Sequence, residues 1–68
     1  MNLRQQSPAN RYLETIHDAQ FELLKSHITK LEFIAVLQKV EKLARDDSDI
    51  SEVEYCLIRT IYEVARYE

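Results

Sequence analysis

The chain has 68 residues, no glycine and one cysteine, and its formal net charge is −3. A single cysteine excludes an intramolecular disulfide, and the lack of glycine excludes glycine-rich phosphate loops, because those need backbone conformations that only glycine adopts cheaply. The negative charge disfavours nucleic acid and anionic lipid as main partners, and the longest apolar runs are too short to span a membrane.

The first predicted element is a helix over about residues 8–26. Ser7 and Pro8 are typical of an N-cap and a first helical residue, where the missing N–H of proline costs nothing. Apolar side chains follow at helical spacing, namely Ala9, Tyr12, Leu13, Ile16, Ala19 and Leu23. We expect residues 1–6 to be a flexible tail. The first ten residues, MNLRQQSPAN, contain no apolar run, so we expect no secretory signal and a cytoplasmic protein.

The second predicted helix covers residues 30–45. Thr29 and Glu32 have the spacing of a capping box, in which each side chain accepts a hydrogen bond from the backbone N–H of the other residue. Ile28 and Phe33 occupy the two positions of a hydrophobic staple. The expected buried stripe of this helix is Phe33, Val36, Leu37, Val40, Leu43 and Ala44.

The third predicted helix covers residues 52–67 and begins in the same way. Ser51 and Glu54 repeat the capping box, and Ile50 and Tyr55 repeat the staple. The apolar run YCLI predicts that this helix is the central, most buried one, with Cys56 as a buried small hydrophobe. Alternatively, Cys56 lies near an interface where oxidation would join two copies. The expected buried stripe is Leu57, Ile58, Ile61, Val64 and Ala65.

These elements predict an all-α fold, a single three-helix domain over residues 7–68. Four apolar residues lie off the main stripes of the first two helices: Phe21, Leu24, Leu31 and Ile34. An isolated domain of this size needs only one apolar stripe on each helix. A second set indicates either a wider core or a partner surface, and we expect a symmetric helical homodimer that buries it.

Tyrosine and arginine alternate along one face of the third helix, at Tyr55, Arg59, Tyr62 and Arg66. Three interpretations remain open: half-buried tyrosines covered by arginine stems, a protein interface, or a surface that stacks on bases. In the interface interpretation, the ring of Tyr55 staples the helix start and its hydroxyl is free to meet a partner.

An acidic segment precedes the third helix, and its candidate contact residues are Asp46, Asp47, Asp49 and Glu52. The aspartates complement the positive N-terminal end of that helix. The simpler interpretation is that the segment is a solvated turn with no binding role. The functional one is a surface that engages a basic site on another protein, as an inhibitor encoded by a phage or plasmid would.

No spacing of side chains predicts catalysis or a cofactor. If Glu54 closed a calcium loop, Leu43 and Arg45 would stand where carboxylates are needed and Ser48 where glycine is needed. His17 and His27 lack a second pair of ligands for zinc. We therefore expect no metal, no cofactor and no enzymatic activity.

From His17 to Tyr67 the chain resembles the small enterobacterial biofilm and acid-resistance regulators, some of which connect to two-component signalling. The resemblance lies in HDAQFELLKS, ITKLEFIAVLQKVE and CLIRTIYEVARY, and includes no diagnostic position. The pattern is also broadly similar to the haemolysin-expression modulators that partner nucleoid proteins, but this chain has fewer basic residues and a longer acidic joint. The resemblance implies a small helical bacterial regulator that dimerises and binds another protein.

The leading hypothesis is therefore a non-enzymatic adaptor or regulator that acts through protein–protein contact. The alternatives are a transcriptional modulator associated with nucleic acid and the acidic inhibitor.

Overall fold

The computed structural model describes residues 8–67 and contains three α-helices and no strand in that range. They are α1 (Pro8–Leu24), α2 (Lys30–Arg45) and α3 (Glu52–Tyr67). The prediction of an all-α, three-helix domain is confirmed. The predicted tail over residues 1–6, the N-cap at Ser7 and the last residue, Glu68, lie outside the described residues.

Helix α1 ends at Leu24, two residues before the predicted end. The chain leaves the helix through Ser26, whose φ of 64° lies in the left-handed region. The N–H of Ser26 donates to the carbonyl of Leu23 at 3.0 Å, and the N–H of His27 donates to that of Glu22 at 2.9 Å. This is the Schellman pattern that satisfies the last carbonyls of a helix, formed here around a serine instead of the usual glycine.

Both predicted capping boxes are confirmed. At the start of α2, Glu32 N–H donates to Thr29 Oγ1 at 3.1 Å and Thr29 N–H donates to Glu32 Oε1 at 2.7 Å. At the start of α3, Glu54 N–H donates to Ser51 Oγ at 3.2 Å and Ser51 N–H donates to Glu54 Oε1 at 3.0 Å. These bonds satisfy N–H groups that have no partner within a helix.

The core is centred on α2, which contacts both α1 and α3. Helix α2 supplies four of the buried side chains, Phe33, Leu37, Val40 and Ala44, whereas α3 supplies one, Ile58. The prediction that α3 is the most buried helix was therefore wrong. The YCLI run was misleading because consecutive residues of a helix point in different directions, so Ile58 can be buried while Cys56 is exposed.

The other two helices touch each other much less than either touches α2. The segments 25–29 and 46–51 reverse the chain, so α2 runs back between α1 and α3 and leaves a groove between them. Within residues 8–67, no helix has both the length and the apolar character needed to cross a membrane.

Candidate functional site

The most distinctive surface feature is the number of large apolar side chains left exposed. Phe21, Leu24 and Leu31, predicted to lie off the core, are 53%, 76% and 80% exposed. The fourth predicted member, Ile34, is half-buried. The ammonium group of Lys25 lies 4.3 Å from the ring centroid of Phe21, so one face of that ring is already covered by a cation.

Three residues assigned to the core from their spacing are exposed instead. Leu43, Leu57 and Val64 lie at the edges of the buried stripes of α2 and α3, and each keeps about half of its surface in water. For Leu57 and Val64 the reason is geometric: α1 covers little of α3, so that edge of α3 is only partly covered by the rest of the domain.

An exposed row of side chains runs along α3 and was not predicted from the sequence. It consists of Val53, Leu57, Thr60, Val64 and Tyr67, and all five are exposed. The steps between them are four, three, four and three residues, the heptad spacing of side chains that meet a second helix. We call this row the α3 seam. The spacing was visible in the sequence, but Leu57 and Val64 had been assigned to the core.

The groove between α1 and α3 lies beside the seam. Its volume is ≈ 300 Å³ and Phe33 of α2 is part of its lining. Gln20 borders it on α1, while Thr60 and Val64 border it on α3. Leu24 follows Gln20 by four residues, so the two share a face of α1. Val64 of the α3 seam is thus the exposed apolar side chain among the described lining residues of this groove.

A second groove lies between α1 and α2. Its volume is ≈ 420 Å³ and its apolar lining includes Val36, Val40 and Leu43. Arg11 and Lys39 also line it, one on each helix. In the described part of the chain, neither groove is lined by a carboxylate, a histidine or a cysteine.

The tyrosine and arginine face of α3 is divided between packing and surface. The Tyr55 hydroxyl donates to Glu41 Oε2 of α2 at 2.5 Å, so the prediction of a free hydroxyl was wrong. This bond, followed by desolvation, raises the pKa of Tyr55 above its ordinary value of 10.0. The anionic form would place two negative charges side by side.

The two arginines of that face lie near Glu63. Arg59 Nε is 3.9 Å and Arg66 Nη1 is 3.8 Å from Glu63 Oε2, and all three side chains are at least 36% exposed. The guanidinium carbon of Arg66 also lies 5.3 Å from the ring centroid of Tyr62. One of the three interpretations drawn from the sequence was a half-buried tyrosine covered by an arginine side chain. That interpretation is correct for Tyr62.

The side chains of the acidic segment differ in how exposed they are. Asp46, Asp49 and Glu52 are exposed, whereas Asp47 is half-buried and accepts the hydroxyl of Tyr12 at 2.9 Å. That bond, followed by desolvation, raises the pKa of Tyr12. Three of the four predicted contact acids are therefore exposed, and the fourth holds a hydrogen bond within the fold.

Cys56 is exposed, so the prediction of a buried thiol was wrong. It lies beside the α3 seam, four residues before Thr60, whose hydroxyl donates to the Cys56 carbonyl at 2.8 Å. Among residues 8–67, no three histidine, cysteine, aspartate or glutamate side chains are grouped closely enough to hold a metal ion.

No protein-family model matches the chain, and comparisons with curated proteins and with solved structures find no match. The fold and surface alone define the class, which is a small three-helix protein with apolar side chains exposed on every helix.

Proposed function

We propose that the chain is a protein-interaction module, a small cytoplasmic bacterial regulator or adaptor that works as a homodimer and performs no chemistry of its own. The observation that carries this proposal is the exposure of large apolar side chains on all three helices. The most exposed are Leu31 at 80%, Val53 at 79%, Tyr67 at 77% and Leu24 at 76%.

Exposed apolar surface is unfavourable in water, and contiguous patches of it mark sites of association. In this chain, Val64 of α3 borders the groove between α1 and α3, so part of the exposed apolar surface is continuous with an open groove. The lack of carboxylates, histidines and cysteines among the described lining residues of either groove supports binding over acid–base or nucleophilic chemistry.

A second candidate function is inhibition of another protein through the acidic segment. The exposure of Asp46, Asp49 and Glu52 favours it. The variant Asp46→Lys, Asp49→Lys, Glu52→Lys tests it without touching Asp47, whose bond to Tyr12 belongs to the fold. Loss of binding to a basic target, with the fold intact, supports this function, and retained binding opposes it.

Nucleic-acid association is the weakest of the three hypotheses. Arg59 and Arg66, the side chains that it would use, both lie within 4 Å of Glu63, which reduces the positive potential that they present to phosphate.

The dimer is tested by measuring the thermal unfolding midpoint over protein concentrations from about 10 μM to about 1 mM, because association stabilises the folded state by mass action. We expect the midpoint to rise with concentration. A midpoint independent of concentration would count against a homodimer.

A further inference from the structure

We propose that the groove between α1 and α2 binds a small anionic amphiphile, a free carboxylate on a short saturated hydrocarbon chain. The carboxylate lies between Arg11 and Lys39, and the hydrocarbon chain lies along the apolar lining of α2. This inference goes beyond the proposed interaction module, because it concerns a small-molecule site within one copy of the chain.

The first basis is the size of the groove. Its volume of ≈ 420 Å³ lies within the range of about 300–1,000 Å³ that small-molecule sites occupy. Its α2 side extends from Val36 to Leu43, which is about 10 Å along a helix. A stable protein interface buries on the order of 1,200 Å² or more, so a groove of this length fits a small molecule better than a protein surface.

The apolar lining of the groove determines the body of the ligand. Val36, Val40 and Leu43 follow one another at helical steps of four and three residues, so they form one stripe on α2 that faces the groove. Val40 is buried and Val36 half-buried, whereas Leu43 is 51% exposed. A linear hydrocarbon chain along this stripe would remove its remaining apolar surface from water.

The second basis is the charge at the edges of the groove. Arg11 lines it from α1 and Lys39 from α2, and both are exposed. Within residues 8–67, neither side chain forms an ion pair with a carboxylate. The residues three and four positions from Lys39 on α2 are Ala35, Val36, Lys42 and Leu43. None of these is acidic, so the helix itself provides no partner for the ammonium group.

The hydroxyl groups in the lining already donate within the fold. The Tyr12 hydroxyl donates to Asp47 Oδ2, and the Thr15 hydroxyl donates to the Arg11 carbonyl. Among the described lining residues, the side-chain donors that remain for a ligand are therefore the cationic groups of Arg11 and Lys39. A negatively charged group that only accepts hydrogen bonds matches them, and the two oxygens of a carboxylate can accept from both.

The acids around the groove favour a free amphiphile over a lipid in a bilayer. None of the described lining residues is a carboxylate, but Asp47 lies beside the groove at the Tyr12 hydroxyl, and the whole chain has a net charge of −3. A single carboxylate between two cations is attracted locally. A flat anionic membrane surface would also meet the surrounding acids, which repel it.

The site is tested by titrating the isotope-labelled full chain with sodium octanoate, below its micelle concentration, and following the backbone amide signals by NMR. We expect saturable shifts at Val36, Lys39, Val40 and Leu43 on α2 and at Thr15 on α1. The thermal unfolding midpoint should rise with octanoate concentration, because the ligand binds the folded state. Hexanoate, which is shorter by two methylene groups, should bind about fourfold more weakly, because less apolar surface is buried.

The role of the two cations is tested with Arg11→Gln and Lys39→Gln. Each variant should weaken octanoate binding by about threefold or more, and the double variant by about tenfold or more, because each loses one charged partner. Their affinity for octanol, which lacks the charge, should stay unchanged. Lys30→Gln is the matched control, since it removes one positive charge at the start of the same helix and outside the groove lining. Far-ultraviolet circular dichroism checks that each variant folds.

Three results would overturn the inference. The first is equal octanoate affinity in the native chain and the double variant, and the second is equal affinity for hexanoate and octanoate. The third is the lack of saturable shifts at the groove up to about 10 mM octanoate, including shifts confined to the other groove around Thr60 and Val64. None of these results bears on the homodimer, which the unfolding midpoint of the chain without ligand tests separately.

Discussion

The hydroxyl of Tyr12 in α1 donates a hydrogen bond to Oδ2 of Asp47, 35 positions further along the chain, at 2.9 Å. The other carboxylate oxygen of Asp47 accepts the N–H of Asp49 at 2.9 Å. A single carboxylate therefore joins the first turns of α1 to the acidic segment that leads into α3, and holds that segment in a turn.

Replacing Tyr12 with phenylalanine should lower the free energy of unfolding by about 0.5–1 kcal/mol, the lower part of the range for a hydrogen bond, because the pair is only part-buried. Urea denaturation followed by circular dichroism measures the change. Tyr62→Phe is the matched control, since no hydrogen bond of the Tyr62 hydroxyl is found within residues 8–67, and its stability should be unchanged. Equal losses in both variants would contradict the assigned bond.

The same bond predicts how stability depends on pH. The pKa of Tyr12 in the folded chain is raised above 10.0, and that of Tyr55 is raised by its bond to Glu41. Both hydroxyls are protonated below the ordinary tyrosine pKa, so their contribution is complete there. Above it the unfolded chain ionises first, and the contribution is lost as pH rises through the raised values.

We therefore expect the stability difference between the native chain and a Tyr12→Phe, Tyr55→Phe variant to be constant from pH 7 to about 9 and to shrink above about 10. Urea unfolding at each pH measures this difference. Taking the difference removes the contributions that the two chains share. A difference that grows above pH 10 would contradict the raised pKa values.

The left-handed conformation at Ser26 predicts a stabilising substitution. In this conformation a residue with a Cβ is destabilised by about 1–2 kcal/mol, whereas glycine is hardly destabilised. Glycine also makes the unfolded chain more flexible, which offsets part of the gain in stability. We expect Ser26→Gly to raise the free energy of unfolding by a net of about 0.5–1 kcal/mol. The matched control is Ser48→Gly, because Ser26 alone has a positive φ among the described residues.

Ser48→Gly should lower stability slightly, since glycine only makes the unfolded chain more flexible at that position. Thermal unfolding of both variants, at one protein concentration, gives the comparison. Destabilisation by Ser26→Gly would contradict the conformation assigned to the end of α1.

The two capping boxes predict equal and separable losses. Thr29→Ala and Ser51→Ala should each cost about 1 kcal/mol, because each leaves a helical N–H without its acceptor. Thr15→Ala is the control: its hydroxyl donates to the Arg11 carbonyl inside α1 at 3.1 Å, and alanine is the better helix former. That variant should be unchanged or slightly more stable under urea denaturation, and losses equal to those of the caps would oppose the assignment.

Local chemistry made the helix starts predictable. A capping box is completed within four residues, so Thr29 and Ser51 could be assigned from the sequence alone. The end of α1 was less predictable, because the chain has no glycine and serine gives no comparable signal for a left-handed residue. The sequence also did not predict that α2 lies between the other two helices, because that arrangement depends on the directions in which the two joints turn the chain.

The exposed apolar surface was only partly predictable. Phe21, Leu24 and Leu31 were assigned outside the core because they break the stripe of their own helix. The exposure of Leu57 and Val64 was not predicted. The spacing indicates a row of apolar residues on α3, but it does not indicate which side of that helix α2 covers. The hydrogen bonds from Tyr55 to Glu41 and from Tyr12 to Asp47 join residues that are far apart in the sequence, so no local sequence pattern predicts them.

The central claim is that a second copy covers the exposed apolar surface. Sedimentation equilibrium of the native chain tests it most directly, because the mass is read without any probe or substitution. We expect the average mass to rise from 8.1 kDa toward twice that value as concentration increases. A mass that stays at 8.1 kDa up to about 1 mM, where even weak specific pairing is detectable, would contradict it.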